Sequence, residues 1–226
     1  MRIFAIDTAL EACSATVFDT EQEAIVAHES MAMARGHAEA LMPLIARVIG
    51  KSQLTFAQID RIAVTTGPGS FTGLRIGISA ARGLGLAAGK PVVGLSTLAA
   101  YAAPFIAADD TLPVAVAIDA RHGHVYLQVT AAGGRTVVTP RVVPIEEAVR
   151  LARGGKVRLT GNAANILAAA WPTNDPPSLV EQCAAPDIEW VARLGASVTE
   201  STSPPKPLYL RPPDAQPQNA AQLARR

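Results

Sequence analysis

Two stretches of the sequence, residues 1–18 (MRIFAIDTALEACSATVF) and residues 113–130 (PVAVAIDARHGHVYLQVT), share one pattern. Each begins with an apolar run that ends in Ile-Asp, at Ile6-Asp7 and at Ile118-Asp119, and continues with a run in which apolar residues alternate. Such a pattern predicts a β-hairpin whose first strand ends in aspartate. Because a form that recurs within one chain indicates a duplicated structural unit, we expect two similar lobes.

Helix and strand patterns follow each hairpin. Behind the first, the sequence predicts a third strand at 24–27, a helix over 36–50, a strand over 60–66, a helix to about Gly89, a strand over 90–94 and a helix over 96–103. Behind the second, it predicts a helix over 145–153, a strand over 156–160, a helix that ends at Trp171 and an amphipathic helix over 187–198.

Two mixed sheets, each opened by a hairpin that ends in aspartate, are the layout of the actin, hexokinase and chaperone ATPase superfold. The predicted fold class is therefore α/β, a two-lobed actin-like ATPase (ASKHA) superfold with duplicated ββαβα-type lobes. We expect a first lobe at 1–105, a second, smaller lobe at 106–202, and a Pro-rich tail at 203–226 that is extended or partly disordered.

The composition is that of a folded protein, with 49% hydrophobic and 17% charged residues. Basic residues number 20 and acidic residues 19, and no basic run is interleaved with aromatics, so we expect any nucleic acid to be held by another protein. Cys13 and Cys183 match no metal or redox spacing and are expected to be reduced thiols. The start lacks a signal-peptide pattern, and arginines interrupt the apolar stretch 71–88, so we expect a cytosolic protein with no membrane span.

The two hairpin aspartates are the candidates for a nucleotide site. In catalytic members of the superfold, the turn after each opening aspartate wraps phosphates, and the aspartate holds a hydrated magnesium ion. Asp7, Thr8 and Asp119 occupy those places, which we assign to a vestigial nucleotide cleft between the lobes. Both turns lack the glycines that let backbone amides approach a phosphate. This favours the alternative that the side chains cap tight turns.

The glycine-rich turn at 67–73 (GPGSFTG) introduces a helix with many small residues. No lysine follows Gly73 as it would in a phosphate-binding loop, and Ser70 is the expected N-cap. Interior glycines cost about 0.5–1 kcal/mol each, so the helix must be tightly packed. We expect one face to pack on its own sheet and another to meet a different chain, with a helix wholly inside this fold as the alternative. The small residues recur every four positions, at Gly69, Gly73, Gly77, Ala81, Gly85 and Gly89.

The sequence contains few candidates for catalytic or metal-binding residues. His122 and His124 lie two residues apart near a hairpin turn, but no third ligand follows at a useful spacing, so a polar turn is favoured over a metal site. Neither a Ser-His-Asp nor a Cys-His arrangement can be argued from the sequence. We therefore predict no catalytic residue and no metal ligand.

Five motifs together resemble the TsaB (YeaZ) family: residues 3–8 (IFAIDT), 67–77 (GPGSFTGLRIG), 94–97 (GLST), 117–121 (AIDAR) and 207–211 (PLYLR). The resemblance is strong over residues 1–126 and weak from there to Glu200. It implies a non-catalytic subunit in the synthesis of threonylcarbamoyladenosine (t6A) beside the anticodon of certain tRNAs. Such a subunit pairs with and activates TsaD, a paralogue that carries the transferase site. A small ATPase, TsaE, joins them, and a separate synthase supplies threonylcarbamoyl-AMP.

The resemblance also implies where this chain meets its partner, on the first-lobe helices at about 36–50 and 70–89. Family members self-pair through the same surface, so we expect a homodimer beside the heterodimer. No intrinsic cofactor is implied, because ATP or ADP and a metal belong to the assembled complex, and tRNA is bound only through it. We expect Leu74→Asp or Ile78→Asp to abolish pairing by burying an unpaired carboxylate. The predicted interface residues are Leu41, Ile45, Phe71, Leu74, Arg75, Ile78 and Arg82.

Two other functions are alternatives. A stand-alone ATP-dependent enzyme of the same superfold would use Asp119 in its cleft, but the adenosine-binding glycine motif expected in the second lobe is reduced to Gly161-Asn162. A glycoprotease-like peptidase would need metal ligands and a general base. The catalytic paralogue carries metal-binding histidines where this chain has Ser96-Thr97, which favours the partner subunit.

Overall fold

The computed structural model describes residues 1–200 and 203–211, which form two five-stranded sheets with helices. The first half contains β1 (Arg2–Asp7), β2 (Ala12–Asp19), β3 (Ala24–Ala32), α1 (His37–Ser52), β4 (Arg61–Gly67), α2 (Phe71–Ala88), β5 (Val92–Ser96) and α3 (Thr97–Ala108). The second half contains β6 (Val114–Asp119), β7 (His124–Thr130), β8 (Thr136–Pro144), α4 (Ile145–Ala152), β9 (Arg158–Thr160), α5 (Ala164–Ala169), β10 (Leu179–Glu181) and α6 (Ile188–Ser197).

The two sheets have the same topology. Their strand orders are β3-β2-β1-β4-β5 and β8-β7-β6-β9-β10, so the first strand of each lobe lies at the centre of its sheet. That strand pairs antiparallel with its hairpin partner and parallel with the fourth strand of its lobe. The register sets Asp7 opposite Ser14 and Asp119 opposite Val125, at the same end of each hairpin. The duplicated actin-like architecture predicted from the two hairpin patterns is therefore confirmed.

Each lobe receives a helix from the other part of the chain. α3 follows the first sheet but packs against β6 of the second, and α6 follows the second sheet but packs against β1, β2 and β4 of the first. At the start of the fourth strand of each lobe lies an almost fully buried arginine, which donates to carbonyls near the C-terminus of one of these helices. Arg61 donates to the carbonyls of Gly195 and Val198, both at 2.8 Å, and Arg158 donates to that of Phe105 at 2.9 Å. The range 106–202 expected for the second lobe thus includes a helix that packs on the first.

One core runs through both lobes. Side chains of β1, β4, α1 and α2 pack in the same apolar cluster as Val114, Val116 and Ile118 of β6. A second cluster, which includes Ile3, Ala63 and Val191, lies under α6 on the other face of the first sheet. Over the described part of the chain, no helix combines the length and the apolar character that crossing a membrane requires.

Some element boundaries differ from the sequence prediction. α1 does not end at Gly50 but continues to Ser52, because Gln53 adopts the left-handed conformation (φ 56°) and its N–H caps the helix on the Gly50 carbonyl. α3 continues past Ala103 to Ala108. Two strands were not predicted from the sequence: β8, which contains Pro140, and β10, which has only three residues. Of the predicted tail, residues 203–211 form neither helix nor strand, and residues 212–226 lie outside the described residues.

Candidate partner surface and inter-lobe cleft

Asp7, at the end of β1, is enclosed by its own lobe. Its side chain is fully buried, and its Oδ1 accepts hydrogen bonds from the Thr65 hydroxyl and, at 3.1 Å, from the Ala9 N–H. The other carboxyl oxygen, Oδ2, has no hydrogen-bond partner among the residues described. Burial raises the pKa of this carboxyl above its ordinary value, because the charged form loses its water; the two hydrogen bonds oppose the rise. Asp7 therefore holds the β1–β2 turn from within the protein.

The N-terminus of α2 fills the space beside that turn. Thr8 donates its hydroxyl to the Gly73 carbonyl at 2.7 Å, and the Ser70 N–H donates to the Ala9 carbonyl at 2.7 Å. A Cβ at Gly73 would overlap the Thr8 carbonyl oxygen, so the helix backbone lies directly on the turn. Ser70 is the N-cap as predicted, accepting from the Gly73 N–H at 3.2 Å. The space beside the first hairpin turn is therefore occupied by the protein's own helix.

The stripe of small residues on α2 faces the chain's own first lobe, so this is the face of the helix that packs on its own sheet, and the partner contact expected for another face stays a prediction. A Cβ at Gly77 would overlap the Thr8 hydroxyl, and one at Gly85 would overlap the Val92 side chain of β5. Ala81 in the same stripe is fully buried. The glycines let α2 approach the β1–β2 turn and β5 closely. The helix is not wholly inside the fold, because Phe71 and Leu86 are exposed on it.

Asp119 lies in different surroundings from Asp7, although the two are equivalent in the duplicated fold. It is exposed; its Oδ1 accepts from the Arg121 N–H at 2.7 Å, and its own N–H donates to the Asn162 side chain at 2.8 Å. It lines a cleft of about 780 Å³ between the lobes. The structure thus separates the predicted cleft residues, since Thr8 and Asp7 are buried in the first lobe and Asp119 faces the cleft. Charged neighbours in the cleft lining are Glu11, Arg35, Arg121 and Arg211.

The seven predicted interface residues divide into two groups. Leu41, Ile45, Leu74 and Ile78 are at most 3% exposed and belong to the core shared with β1 and β4. The prediction that these four residues lie at the interface is therefore wrong. They are core residues, because α1 and α2 cover the first sheet with their apolar sides. For the same reason Leu74→Asp and Ile78→Asp would break the fold itself and cannot test pairing. Phe71, Arg75 and Arg82 are exposed, as a partner surface requires.

The outward sides of α1 and α2 form an exposed face on two helices that pack against each other. Met42 is 51% exposed and Phe71 41% exposed, and small residues flank them on both helices. Small side chains let two helices approach a third element closely, so this face is suited to helix packing. We call it the α1–α2 surface: Ala38, Met42, Ala46, Phe71, Arg75, Ser79 and Arg82.

The positions considered for metal chemistry are used in local structure. Ser96 caps α3 by accepting from the Ala99 N–H at 3.4 Å, and Thr97 is fully buried. His124 donates through Nδ1 to the His122 carbonyl at 2.8 Å, which stabilises the β6–β7 turn. Within residues 1–200 and 203–211, no three histidine, cysteine, aspartate or glutamate side chains are grouped so as to hold a metal ion.

Sequence analysis missed the role of the segment at 205–211, which borders both the cleft and the α1–α2 surface. Its Leu208 N–H donates to the Thr66 carbonyl at 2.7 Å, and the Tyr209 ring stacks on Phe71 with centroids 5.2 Å apart. Residues 208–211 line the cleft. The motif at 207–211 was noticed as part of the resemblance, but a sequence of this kind predicts no partner for an extended segment.

The fold and these sites define a two-lobed actin-like protein in which α2 lies directly on the first hairpin turn. A family model described as "TsaD: tRNA N6-adenosine threonylcarbamoyltransferase" matches residues 26–183, more than half of the chain. The chain belongs to this family.

The individual proteins that match this chain include TsaB and YeaZ proteins. Over 126 residues the chain is 40% identical to the "tRNA threonylcarbamoyladenosine biosynthesis protein TsaB" of Escherichia coli (strain K12); the match covers 56% of this chain and 53%, about half, of that protein. An uncharacterized protein of Mycobacterium tuberculosis (strain ATCC 25618 / H37Rv) is 33% identical over 95% of this chain and 94% of its own length. The structure of YeaZ from Pseudomonas aeruginosa aligns with a TM-score of 0.75 at 26% identity, over 92% of this chain and 99% of that one.

Proposed function

We propose that this protein is a non-catalytic subunit in t6A synthesis, which pairs through its α1–α2 surface with a TsaD-like transferase and activates it. A TsaE-like ATPase joins the pair, and tRNA contacts this chain only within the complex. ATP or ADP and a metal are held by the assembled complex, and this chain contributes no cofactor of its own. The homodimer forms through the same surface and competes with the transferase.

Similarity to proteins named for this pathway supports a role in t6A synthesis. The relative from Escherichia coli is named as a t6A biosynthesis protein, and the matching family model is named for the transferase. A subunit that is a paralogue of the transferase fits both observations, because the two would share a fold and differ at the site.

The closed turn at Asp7 is the observation that carries the non-catalytic assignment. A nucleotide needs the first hairpin turn open to its phosphates, and here α2 lies on Thr8 and Ala9 through two hydrogen bonds of 2.7 Å. Asp7 is fully buried, and its Oδ1 is engaged by Thr65 and Ala9. A buried carboxylate held in this way cannot reach a hydrated cation in the cleft.

Pairing is supported by what the α1–α2 surface exposes. The inward sides of both helices are already used in the core, so their outward sides remain available, and they combine a large apolar side chain, Met42, with small residues such as Ala46 and Ser79. Arginines 75 and 82 give this face positive charge, which a transferase with acidic residues opposite would recognise.

The test is the affinity between the purified chain and its own organism's TsaD-like protein, measured by analytical ultracentrifugation. Met42→Asp should weaken the complex at least about tenfold, because a carboxylate would be buried at the interface without a partner. Leu151→Asp is the matched control, since Leu151 is an exposed leucine (36%) on α4 of the second lobe, and it should leave the affinity unchanged.

Both variants change exposed side chains, so thermal unfolding should show that the fold is kept. Equal affinity of wild type and Met42→Asp would reject the α1–α2 surface. Tight ATP binding and hydrolysis by the isolated chain would instead support the stand-alone enzyme, for which the cleft at Asp119 is the candidate site.

A further inference from the structure

Residues Pro205–Arg211, which we call the clasp, lie across the edge of the first sheet. Pro205 is buried beside Gly94 of β5, where an added Cβ would come within 2.9 Å of the proline Cβ. Three residues later in the clasp, the Leu208 N–H donates to the Thr66 carbonyl of β4 at 2.7 Å, as in a short strand pairing. The clasp is thus attached to both neighbouring parallel strands, at the carboxyl end of β4 and at the middle of β5.

The centre of the clasp is attached to α2. The Tyr209 ring stacks on Phe71, with 28° between the ring planes, and the Arg75 Nε donates to the Tyr209 hydroxyl at 3.0 Å. The Arg75 guanidinium also lies 3.8 Å from the centroid of the Phe71 ring. Three side chains from two segments therefore hold one another at the N-terminus of α2, and each is individually exposed to solvent.

The end of the clasp reaches the second lobe. The Arg211 guanidinium donates through Nη1 to the Ala120 carbonyl at 3.0 Å, beside Asp119 in the cleft lining. Residues 208–211 belong to the same lining as Leu10 and Glu11 of the first lobe. The clasp therefore crosses the cleft from one lobe to the other.

We propose that the clasp fixes the opening of the inter-lobe cleft, with Tyr209 as its attachment to the first lobe and Arg211 as its attachment to the second. Apart from the clasp, the lobes are connected through the shared core around α3 and β6 and through α6, which packs on the first sheet; the apolar packing around α3 and β6 can act as the hinge. Release of the clasp lets the second lobe turn about that core, which opens the cleft and frees Phe71 and Arg75 at the end of the α1–α2 surface. This rests on contacts within the isolated chain and does not depend on pairing.

The experiment measures the distance between the lobes in the full-length chain by pulsed electron paramagnetic resonance. Spin labels are placed at the exposed positions Ala57 and Arg150, one on each lobe, with Cys183→Ser; Cys13 is fully buried and stays unlabelled. The test variant combines Tyr209→Ala with Arg211→Ala. Lys206→Ala, an exposed change within the clasp, is the control, and Tyr209→Phe keeps the ring but removes the hydrogen bond to Arg75.

We expect one narrow distance distribution for wild type, Lys206→Ala and Tyr209→Phe, and a broader distribution extending to longer distances for the double variant. Hydrogen exchange of the Leu208 amide should accelerate in the double variant by about tenfold or more, since an aromatic pair and a hydrogen bond are each worth roughly a three- to tenfold change in population. Unchanged distances in the double variant would overturn the proposal, whether or not Leu208 exchange accelerates, because a detached clasp would then not control the lobes. If the double variant does not fold, Arg211→Ala alone provides the same test.

Discussion

Replacing Gly73 by alanine is expected to destabilise the isolated chain, whereas the same change at Gly83, ten residues later in α2, is expected to stabilise it. An added Cβ at Gly73 would overlap the Thr8 carbonyl oxygen, which is a backbone atom of a buried turn, and would also lie 3.3 Å from the Ser70 Cβ. At Gly83 an added Cβ meets no atom within 4 Å. Comparing Gly73→Ala with Gly83→Ala therefore distinguishes the effect of close packing on stability from the effect of helix propensity, within one helix.

The magnitudes follow from these contacts. Alanine gains about 0.5–1 kcal/mol over glycine in a helix, which is the whole expected effect at Gly83. At Gly73 the same gain is opposed by overpacking, which costs about 1–3 kcal/mol, and by strain on the buried hydrogen bond from Thr8 to the Gly73 carbonyl, worth about 0.5–1.5 kcal/mol. The net loss at Gly73 should be about 2 kcal/mol, so the two variants should differ by nearly 3 kcal/mol.

Urea unfolding followed by circular dichroism measures both free energies, with equal m-values showing that the unfolding transition is the same. Equal stability of Gly73→Ala and Gly83→Ala, together with weaker pairing of Gly73→Ala with the transferase, would contradict this expectation. That result would mean that the small-residue stripe faces a partner.

Three further outcomes are expected in the same assay. Leu74→Ala should cost about 2–5 kcal/mol because Leu74 is 1% exposed, while Leu86→Ala, 87% exposed on the same helix, should stay within about 0.5 kcal/mol of wild type. Arg61→Met should cost about 2–4 kcal/mol by removing the charged donor from the Gly195 and Val198 carbonyls; an unchanged stability would contradict that role. Asp7 has a folded-state pKa raised above 3.8, so the folded state binds the proton more tightly, and wild type should lose stability as the pH rises from about 4. Asp7→Asn can keep the bonds to Thr65 and Ala9, so its stability relative to wild type should increase over that range, and a constant difference would show that Asp7 ionises freely.

The fold was predictable because the hairpin pattern is carried by the sequence itself. A strand that is buried on both faces and ends in aspartate recurs at Asp7 and Asp119, and the two sheets have the same strand order. The short strand β10 has only exposed residues, so it shows no apolar alternation and was not predictable. Strand β8 contains Pro140 and begins at an exposed edge, which weakens the same signal.

The site was less predictable, because a residue pattern shows that close contact is needed without showing what is contacted. The small residues of α2 indicated close packing, but only the structure shows that Thr8, Ala9 and Val92 are the neighbours. The leucines and isoleucines assigned to the interface have the spacing of an apolar helix face, which is equally the spacing of a core face. The equivalent aspartates Asp7 and Asp119 differ because α2 covers only the first.

We propose that t6A formation requires this chain but that the chain does not catalyse it. The most direct measurement is t6A formed on unmodified tRNA in a reconstituted reaction with the organism's TsaD-like and TsaE-like proteins and threonylcarbamoyl-AMP, with and without this chain. We predict product only when the chain is present, none from the chain alone, and much less with Met42→Asp than with Leu151→Asp. Full product in the absence of the chain, or product from the chain alone, would contradict the account.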